Sequence, residues 1–428
     1  MNKQWGNLSP RVGVAWDVTG GGRLAVRSSY GINYDRPTAI FQQVPASGAP
    51  FGNRLTLTGN IPFDDPYRNV PGGQLLPVPV PPPGNIVFPG LGSYAAIDPN
   101  INSTRAQSWN VTVERQVGTS WQVAASYLGT YLDRIWGQEA LNPGIYMGLG
   151  PCTLRGVNYA SCSTAANTDA RRVFSQVSAE AAQKLSYVSQ YRAIGTQNYR
   201  GLKLSFQRRA AQGVSLGGNY TVSHCTTDTP VTGNFVQFNA TWLKPGDPSY
   251  DRGNCPYNQR EIANFTASAQ APQFTNRTLR LVASNWRLSG ILNANTGNWL
   301  TVTTTQDRAF SGIPTQRVDQ AAANPYAAKT LTNYLSAAAF AIPAAGTLGN
   351  EAARSIEGPG FWKVDVSIAR ILALGASRTM EFRIEAFNLF NNFNWGDPNI
   401  GLDAGTFGQI TTQNGDPRIM QFAIKYGF

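Results

Sequence analysis

The chain has 428 residues, and its 35 lysines and arginines exceed its 24 aspartates and glutamates, for a formal net charge of +11. Only 14% of the residues are charged and 11% are aromatic, which argues against a disordered chain and against a helical repeat protein. The positive surplus does not indicate nucleic-acid binding, because the basic residues are scattered and form no stripe.

Eleven segments alternate apolar and polar residues over about the 9–11 positions that a tilted membrane strand requires. In chain order they lie at 9–17, 22–34, 107–117, 120–131, 198–210, 213–224, 260–271, 284–296, 361–371, 377–391 and 416–428. The last is the clearest, since Phe422, Ile424 and Tyr426 share one face and alternate with polar or small residues. The pattern predicts an all-β protein, an antiparallel meander of about eleven long strands.

Two of these segments carry charge on every second residue. Their apolar row, expected to face lipid, comprises Trp362, Val364, Val366, Ile368, Phe382 and Ile384. Their charged row, expected to face a barrel lumen, comprises Lys363, Asp365, Arg383 and Glu385. An arginine or lysine at the bilayer midplane costs about 2–4 kcal/mol, so one register is strongly preferred.

The links between the segments alternate in length. Short turns are predicted at 17–22, 118–119, 210–213 and 373–376, and long loops at 35–106, 132–197, 225–259, 297–360 and 392–415. Loops of that size are uncommon in compact soluble domains. Short turns on one side and long extracellular loops on the other are typical of bacterial outer-membrane barrels.

The four cysteines all lie in or beside the predicted loops. Cys152 and Cys162 belong to one loop, and Cys225 and Cys255 lie at the two ends of another. Three pairings are formally open, and the sequence alone does not choose among them. If each cysteine pairs within its own loop, Cys152 is joined to Cys162 and Cys225 to Cys255. We expect these disulfides, and they indicate an oxidising compartment.

The sequence offers no catalytic or cofactor motif. His224 is the only histidine, which argues against histidine-based metal centres and ordinary catalytic triads. There is no phosphate-binding loop, and Gly20–Gly22 is interpreted as a turn between strands. We therefore expect neither an enzyme nor a cofactor.

Several stretches resemble the closing strands of TonB-dependent outer-membrane receptors, and the nearest group is the Oar-like receptors. In the carboxyl-terminal part they are Gly358–Ile368, Glu381–Asn391, Phe407–Ile410 and Asp416–Phe428. Earlier stretches that agree are Ser9–Gly13, Tyr30–Pro37, Asn198–Leu202 and Asn285–Gly290. Each stretch is weak alone, but their order and spacing extend the resemblance from about Ser9 to Phe428.

The resemblance implies a barrel of the 22-strand type around an amino-terminal plug, with a TonB box that contacts the energy-coupling protein. We expect residues 1–428 to form a single partial barrel domain, its carboxyl-terminal half, without plug, regulatory-like domain or TonB box. TonB would then act only through the missing amino-terminal part. The resemblance also implies that a terminal signal of Phe422, Ile424, Tyr426 and Phe428 is read by the barrel-assembly machinery.

Two functions remain open at this stage. The first is ligand-gated transport, in which extracellular loops capture a small ligand, an oligosaccharide or a peptide, and the alternative is a structural or adhesive surface protein without transport. Loop aromatics that could contact a ligand, or equally lie at the membrane interface, are Trp136, Tyr146, Tyr159, Tyr191, Trp242, Tyr250 and Tyr257.

Overall fold

A computed structural model of the chain describes residues 4–35, 62–68, 91–211, 213–230, 241–375 and 378–428. Its main feature is one sheet in which eleven long strands neighbour each other in chain order. The strands are β1 (Arg11–Asp17), β2 (Leu24–Tyr34), β3 (Arg105–Val117), β4 (Trp121–Ala140), β5 (Leu185–Ala211), β6 (Val214–Thr227), β7 (Glu261–Gln270), β8 (Trp286–Asn295), β9 (Phe361–Ala373), β10 (Thr379–Phe387) and β11 (Ile419–Gly427).

Every neighbouring pair in this series is antiparallel. Two short strands join the sheet from the loops: Gly92–Ile97 pairs in parallel with β5, and Gly253–Asn254 pairs with β6. Among the described residues, β1 and β11 each have one neighbour in the sheet. The predicted all-β meander of eleven strands is therefore confirmed.

The strand register gives the sheet one apolar and one polar face. Leu288 lies opposite Ile368, Ile368 opposite Ile384, and Ile384 opposite Phe422, which forms an apolar row across β8 to β11. On the other face Ser367 lies opposite Glu385. Because successive side chains of a strand point to opposite faces, the predicted apolar and charged rows lie on opposite sides of the sheet.

The predicted loop 132–197 is wrong at both ends, because β4 continues to Ala140 and β5 already begins at Leu185. The loop itself is 141–184. The extensions lack the expected alternation because residues on both faces are buried, including Gln138 and Glu139. Alternation of apolar and polar residues indicates a strand with one face buried and the other in water. A strand that is buried on both faces lacks this pattern and is not predicted by it.

The other long loops differ from prediction by a few residues: they span 35–104, 228–260, 296–360 and 388–418. Most of the first of these lies outside the described residues. These loops define the long-loop end of the sheet, and the tight links at 18–23, 118–120, 212–213 and 374–378 define the short-turn end.

Among the described residues, helices are few and short. In loop 141–184 lie α1 (Val173–Val177) and α2 (Ala179–Lys184), and α3 (Arg277–Ala283) lies in the link between β7 and β8. Single 3-10 turns occur at Asp169–Arg171, Pro248–Asp251 and Ala337–Ala339. None of the helices in the described part of the chain is long and apolar enough to cross a membrane.

In their described parts, the loops contain ten further short strands that pair with each other outside the main sheet. They are Cys152–Leu154 with Val157–Tyr159, Trp299–Leu300 with Ile356–Glu357, Thr303–Thr304 with Gln316–Arg317, Asp319–Gln320 with Phe340–Ala341, and Tyr326–Thr330 with Asn333–Leu335. The largest buried apolar cluster also lies here and includes Val302, Val318, Leu335 and Ile356. We call residues 141–184, 228–230, 241–260, 296–360 and 388–418 the loop cap.

Candidate functional site

Three of the seven loop aromatics considered as ligand contacts or membrane-interface residues lie inside the protein. Trp136, Tyr191 and Trp242 are at most 9% exposed. The indole Nε1 of Trp136 donates to the carbonyl of Asn102 at 2.7 Å, and that of Trp242 donates to the carbonyl of Asp228 at 2.6 Å. These side chains hold strands and loops together and do not present a surface to a ligand.

The remaining candidates are divided between packing and surface. The Tyr250 hydroxyl donates to the carbonyl of Gly349 at 2.6 Å, which ties loop 228–260 to loop 296–360. Tyr159 is partly buried in the Cys152–Tyr159 hairpin. Tyr146 is partly exposed and stacks on Phe310, and Tyr257 is 76% exposed. Of the predicted set, Tyr146 and Tyr257 thus remain at the surface of the loop cap.

Arg171 joins loop 141–184 to loop 296–360. The side chain is fully buried, and its Nε donates to Asn167 Oδ1 at 2.9 Å. Its Nη1 donates to the carbonyls of Ile145 and Phe310, the second at 3.1 Å. A buried guanidinium requires that its donors find partners, and here most are main-chain carbonyls.

Arg354 makes the corresponding connection between loop 296–360 and loop 228–260. Its Nη2 donates to the carbonyls of Thr227 at 3.0 Å and Asp251 at 2.6 Å, and its Nε donates to the carbonyl of Asn254. Burial lowers the pKa of the Arg354 guanidinium to about 10, since the charged form loses hydration. These bonds hold the end of β6 against the two loops.

A third buried arginine, Arg317, lies beside the Asp251 carboxyl group and donates to the main-chain carbonyl of Glu351. Its guanidinium stacks on the Tyr250 ring at 3.7 Å and lies 3.8 Å from Asp251 Oδ1. The Val302 N–H donates to Glu351 Oε1 at 3.0 Å. Burial raises the pKa of Glu351 to about 8 and that of Asp251 to about 6. The loop cap therefore has a charged interior as well as an apolar one.

Sequence reasoning missed this group of buried ionisable residues. Arg171, Arg317, Arg354, Asp251 and Glu351 stand in loops without a recognisable spacing. A charged residue in a long loop is usually solvated, so the sequence pattern predicts exposure. Only the contacts between distant loops distinguish these five residues from ordinary surface charges.

The two disulfides lie in or at the edge of the loop cap. Cys152 is bonded to Cys162, with their Cα atoms 5.3 Å apart, and Cys225 is bonded to Cys255, with Cα atoms 5.4 Å apart. Both separations are within the usual range for disulfides. The second bond connects the extended end of β6 to loop 228–260, where the Cys255 N–H also donates to the Cys225 carbonyl at 3.0 Å.

The polar face of the sheet carries a row of ion pairs. Arg287 on β8 contacts Glu381 on β10 at 3.2 Å, and Arg383 lies within 4 Å of both Glu381 and Glu385. The opposite charges neutralise each other along β10 and, across β9, between β8 and β10. Such a surface suits contact with water or with a polar protein segment.

Three of the predicted assembly residues lie on β11, at one edge of the sheet, and Phe428 directly follows its last residue. Phe422 and Ile424 are 72% and 71% exposed on the apolar face, with Tyr426 and Phe428 following in the same row. Their aromatic and branched side chains are therefore accessible along the strand edge.

The described residues contain no group of three or more histidine, cysteine, aspartate or glutamate side chains placed to hold a metal ion. His224 is exposed on β6, where it pairs with Arg200 of β5. The site that the fold does provide is a loop cap on top of a two-faced sheet. Such a site can bind by shape and hydrogen bonding.

A long antiparallel meander with one apolar and one charged face is the architecture of a transmembrane β-barrel protein. The family model described as outer membrane beta barrel domain matches residues 1–421. The chain belongs to this family, and the protein is an outer-membrane protein whose apolar face meets lipid. No protein with a curated description matches the chain by sequence.

Among solved structures, the outer membrane transporter YddB from Escherichia coli is similar over 98% of this chain and 40% of its own, with a TM-score of 0.51 and 8% identity. The ferripyoverdine receptor of Pseudomonas aeruginosa aligns with 98% of this chain and 33% of its own at 9% identity and a TM-score of 0.44. The FrpB iron transporter from Neisseria meningitidis aligns with 99% of this chain and 39% of its own, at 12% identity and a TM-score of 0.43. The chain spans about two fifths of the length of the transporter, and the likeness to it shows the fold.

Proposed function

We propose that the chain is the carboxyl-terminal barrel part of a ligand-gated, TonB-dependent outer-membrane receptor of the Oar-like group. Residues 1–428 form one partial barrel domain that further strands complete. The long-loop end is extracellular and the short-turn end periplasmic. A plug and a TonB box belong to other parts of the receptor, and TonB acts through them.

The observation that carries this proposal is the folded loop cap. Binding of a scarce ligand is stronger when the binding loops are ordered beforehand, because less conformational entropy is lost on association. Arg171 and Arg354 connect three long loops through buried bonds, and Tyr146 and Tyr257 lie at the surface of the resulting unit. The similarity in fold to an outer membrane transporter supports the same assignment.

The test compares binding with accumulation. The whole protein is produced in the outer membrane of cells with and without TonB, and cells are offered an iron-loaded catecholate siderophore, a maltodextrin or a short peptide. We expect one class to bind in both strains and to accumulate only where TonB is present. A Tyr257→Ala variant should weaken binding, whereas Tyr159→Phe, which keeps the ring in its hairpin, should not.

The alternative is a structural or adhesive surface protein, which the same folded loops would also serve. It predicts that a partner binds to cells equally with and without TonB and that nothing accumulates. That outcome would contradict transport while leaving the outer-membrane fold unchanged.

A further inference from the structure

The link between β7 and β8 is the longest at the short-turn end and contains a helix. Residues 271–285 include α3, whose first turn is capped by Asn276: its Oδ1 accepts from the N–H groups of Thr278 at 2.9 Å and Leu279 at 3.1 Å. Leu279, Leu281 and Val282 are 50%, 71% and 61% exposed. A tight turn would be enough to connect the two strands, so the helix is not needed for the connection. Exposure of its three large apolar side chains to water is unfavourable.

The last turn of α3 is attached to the apolar side of the sheet. The Trp286 Nε1 donates to the carbonyl of Val282 at 2.8 Å, and the Arg370 guanidinium donates to the carbonyl of Leu281. Trp286 and Arg370 are cross-strand partners of β8 and β9, and the guanidinium lies 5.4 Å from the centre of the indole ring.

The side of the sheet follows from strand alternation. Trp286 is two residues before Leu288, and Arg370 is two residues after Ile368, so both belong to the row that faces lipid. Two side chains of that row donate hydrogen bonds to main-chain carbonyls in the last turn of α3. The helix is therefore continuous with the lipid-facing surface at its short-turn border.

The charge of the segment fits a phospholipid surface. Residues 271–285 contain Arg277 and Arg280 and no aspartate or glutamate. Together with Arg370 they place three positive charges beside exposed leucine, valine and tryptophan side chains. Arginine near phosphate and tryptophan at the headgroup level are the usual anchors of membrane interfaces.

We propose that α3 is an interfacial anchor that lies in the headgroup region of the membrane leaflet at the short-turn end. Leu279, Leu281 and Val282 insert beside the acyl chains, and Arg277 and Arg280 contact lipid phosphates. The occupant of this surface is phospholipid. The proposal requires the sheet to span a membrane and does not depend on ligand transport.

The experiment measures the depth of α3 in a bilayer. The whole protein carrying Leu281→Cys, or Val282→Cys as a second site, is labelled with bimane and reconstituted in vesicles of phosphatidylethanolamine and phosphatidylglycerol. All four cysteines of the 428 residues are disulfide-bonded, and cysteines elsewhere in the whole protein are replaced by serine so that the label is specific. Gly21→Cys is the matched control, because it lies in the β1–β2 turn at the same end with no atom within 4 Å of its Cβ position.

Lipids brominated close to the headgroup should quench the label at 281 or 282 at least threefold more than the label at 21, and aqueous iodide should show the reverse order. Equal quenching at all three positions overturns the proposal. Protection of 281 from both lipid bromine and iodide also overturns it, since a protein surface would then cover the helix.

The charges are tested separately. Arg277→Glu combined with Arg280→Glu should reduce lipid quenching of the label at 281 in vesicles that contain phosphatidylglycerol. The reduction should be smaller in vesicles of phosphatidylcholine alone, where choline offsets the charge of each phosphate. An unchanged result in the anionic vesicles would contradict the phosphate contacts. The transport measurement described above is independent of both outcomes.

Discussion

At the scale of single residues, charged side chains have different surroundings in the sheet and in the loop cap. Arg383 on the polar face lies beside carboxylates and remains partly exposed to water. Arg171 in the loop cap is fully buried and bonds mainly to main-chain carbonyls. Exposed pairs contribute little to stability, whereas a buried guanidinium that loses its partners is strongly destabilising.

The two faces of β9 respond differently to a new arginine. Val366→Arg places the charge in the lipid-facing row, where it costs about 2–4 kcal/mol at the midplane. Lys363→Arg keeps the charge on the polar face beside Asp365, its ion-pair partner at 3.0 Å. We expect the first variant to reduce the folded, heat-modifiable protein in outer membranes severely and the second to resemble the wild type. Equal loss in both would show that the faces are wrongly assigned.

Glu351 makes the stability of the loop cap depend on pH. Its folded pKa of about 8 lies above its ordinary value of 4.5, so the folded state holds a proton that the unfolded state releases. Stability is therefore greatest below about pH 4.5 and falls as the pH rises towards 8. The pKa of Asp251 is likewise raised, from its ordinary 3.8 to about 6, so this residue also lowers the stability as the pH rises through that range.

Glu351→Gln should remove most of this dependence, because the amide oxygen can still accept from the Val302 N–H and carries no charge. Between pH 5 and pH 8, hydrogen exchange of residues 296–360, corrected for intrinsic rates, should rise at least about tenfold in the wild type, since one pKa unit corresponds to about 1.4 kcal/mol. The variant should show a much smaller rise. Identical profiles would mean that Glu351 is ionised in the folded protein.

At the scale of elements, the sequence predicts strands best where water and lipid lie on opposite faces. All eleven strands were predictable because each of them contains a stretch of alternation, most clearly β11. The extensions of β4 and β5 were not, since loops cover both of their faces. Helix α3 was also missed, because seven residues give too short a pattern to distinguish from a turn.

The disulfides belong to this scale because each restrains one loop. In the unreduced, folded protein we expect all four cysteines to resist alkylation. Replacing Cys225 and Cys255 by serine should loosen residues 241–260 with a cost of about 2–4 kcal/mol to the local fold, measured by hydrogen exchange. Replacing Cys152 and Cys162 should affect the hairpin at 152–159 and leave residues 241–260 unchanged. Thiols that react before reduction would contradict the pairing.

At the scale of the whole molecule, the sheet has edges at β1 and β11 among the described residues. Unpaired backbone groups are costly in lipid, so a sheet of this kind is stable in a membrane only when both edges are paired. We therefore expect the residues of this chain alone to form no stable heat-modifiable monomer. On the proposal above, strands from the rest of the protein or from another copy would close the barrel.

The edge at β11 gives a further prediction about assembly. Phe422, Ile424, Tyr426 and Phe428 form an exposed row that we propose the barrel-assembly machinery reads by strand addition. A polar tail appended after Phe428 of the whole protein should lower its outer-membrane level several-fold, measured by immunoblot of membrane fractions. The same tail inserted between the exposed Leu149 and Gly150 is the control. Unchanged insertion with the terminal tail would contradict this role.

With the long-loop end outside the cell, as proposed above, the buried arginines of the loop cap have a consequence for how the cell surface can vary. Arg354 and Arg171 bond largely to peptide carbonyls, which every amino acid supplies, so most outward side chains can be exchanged without breaking these bonds. Antibody- or phage-driven diversification can then alter the exposed positions while the backbone framework persists. Changes of loop length beside Thr227, Asp251 or Phe310 would displace the carbonyl acceptors themselves. Variants selected by antibodies or phages should therefore carry substitutions in these loops and no insertions beside these three residues.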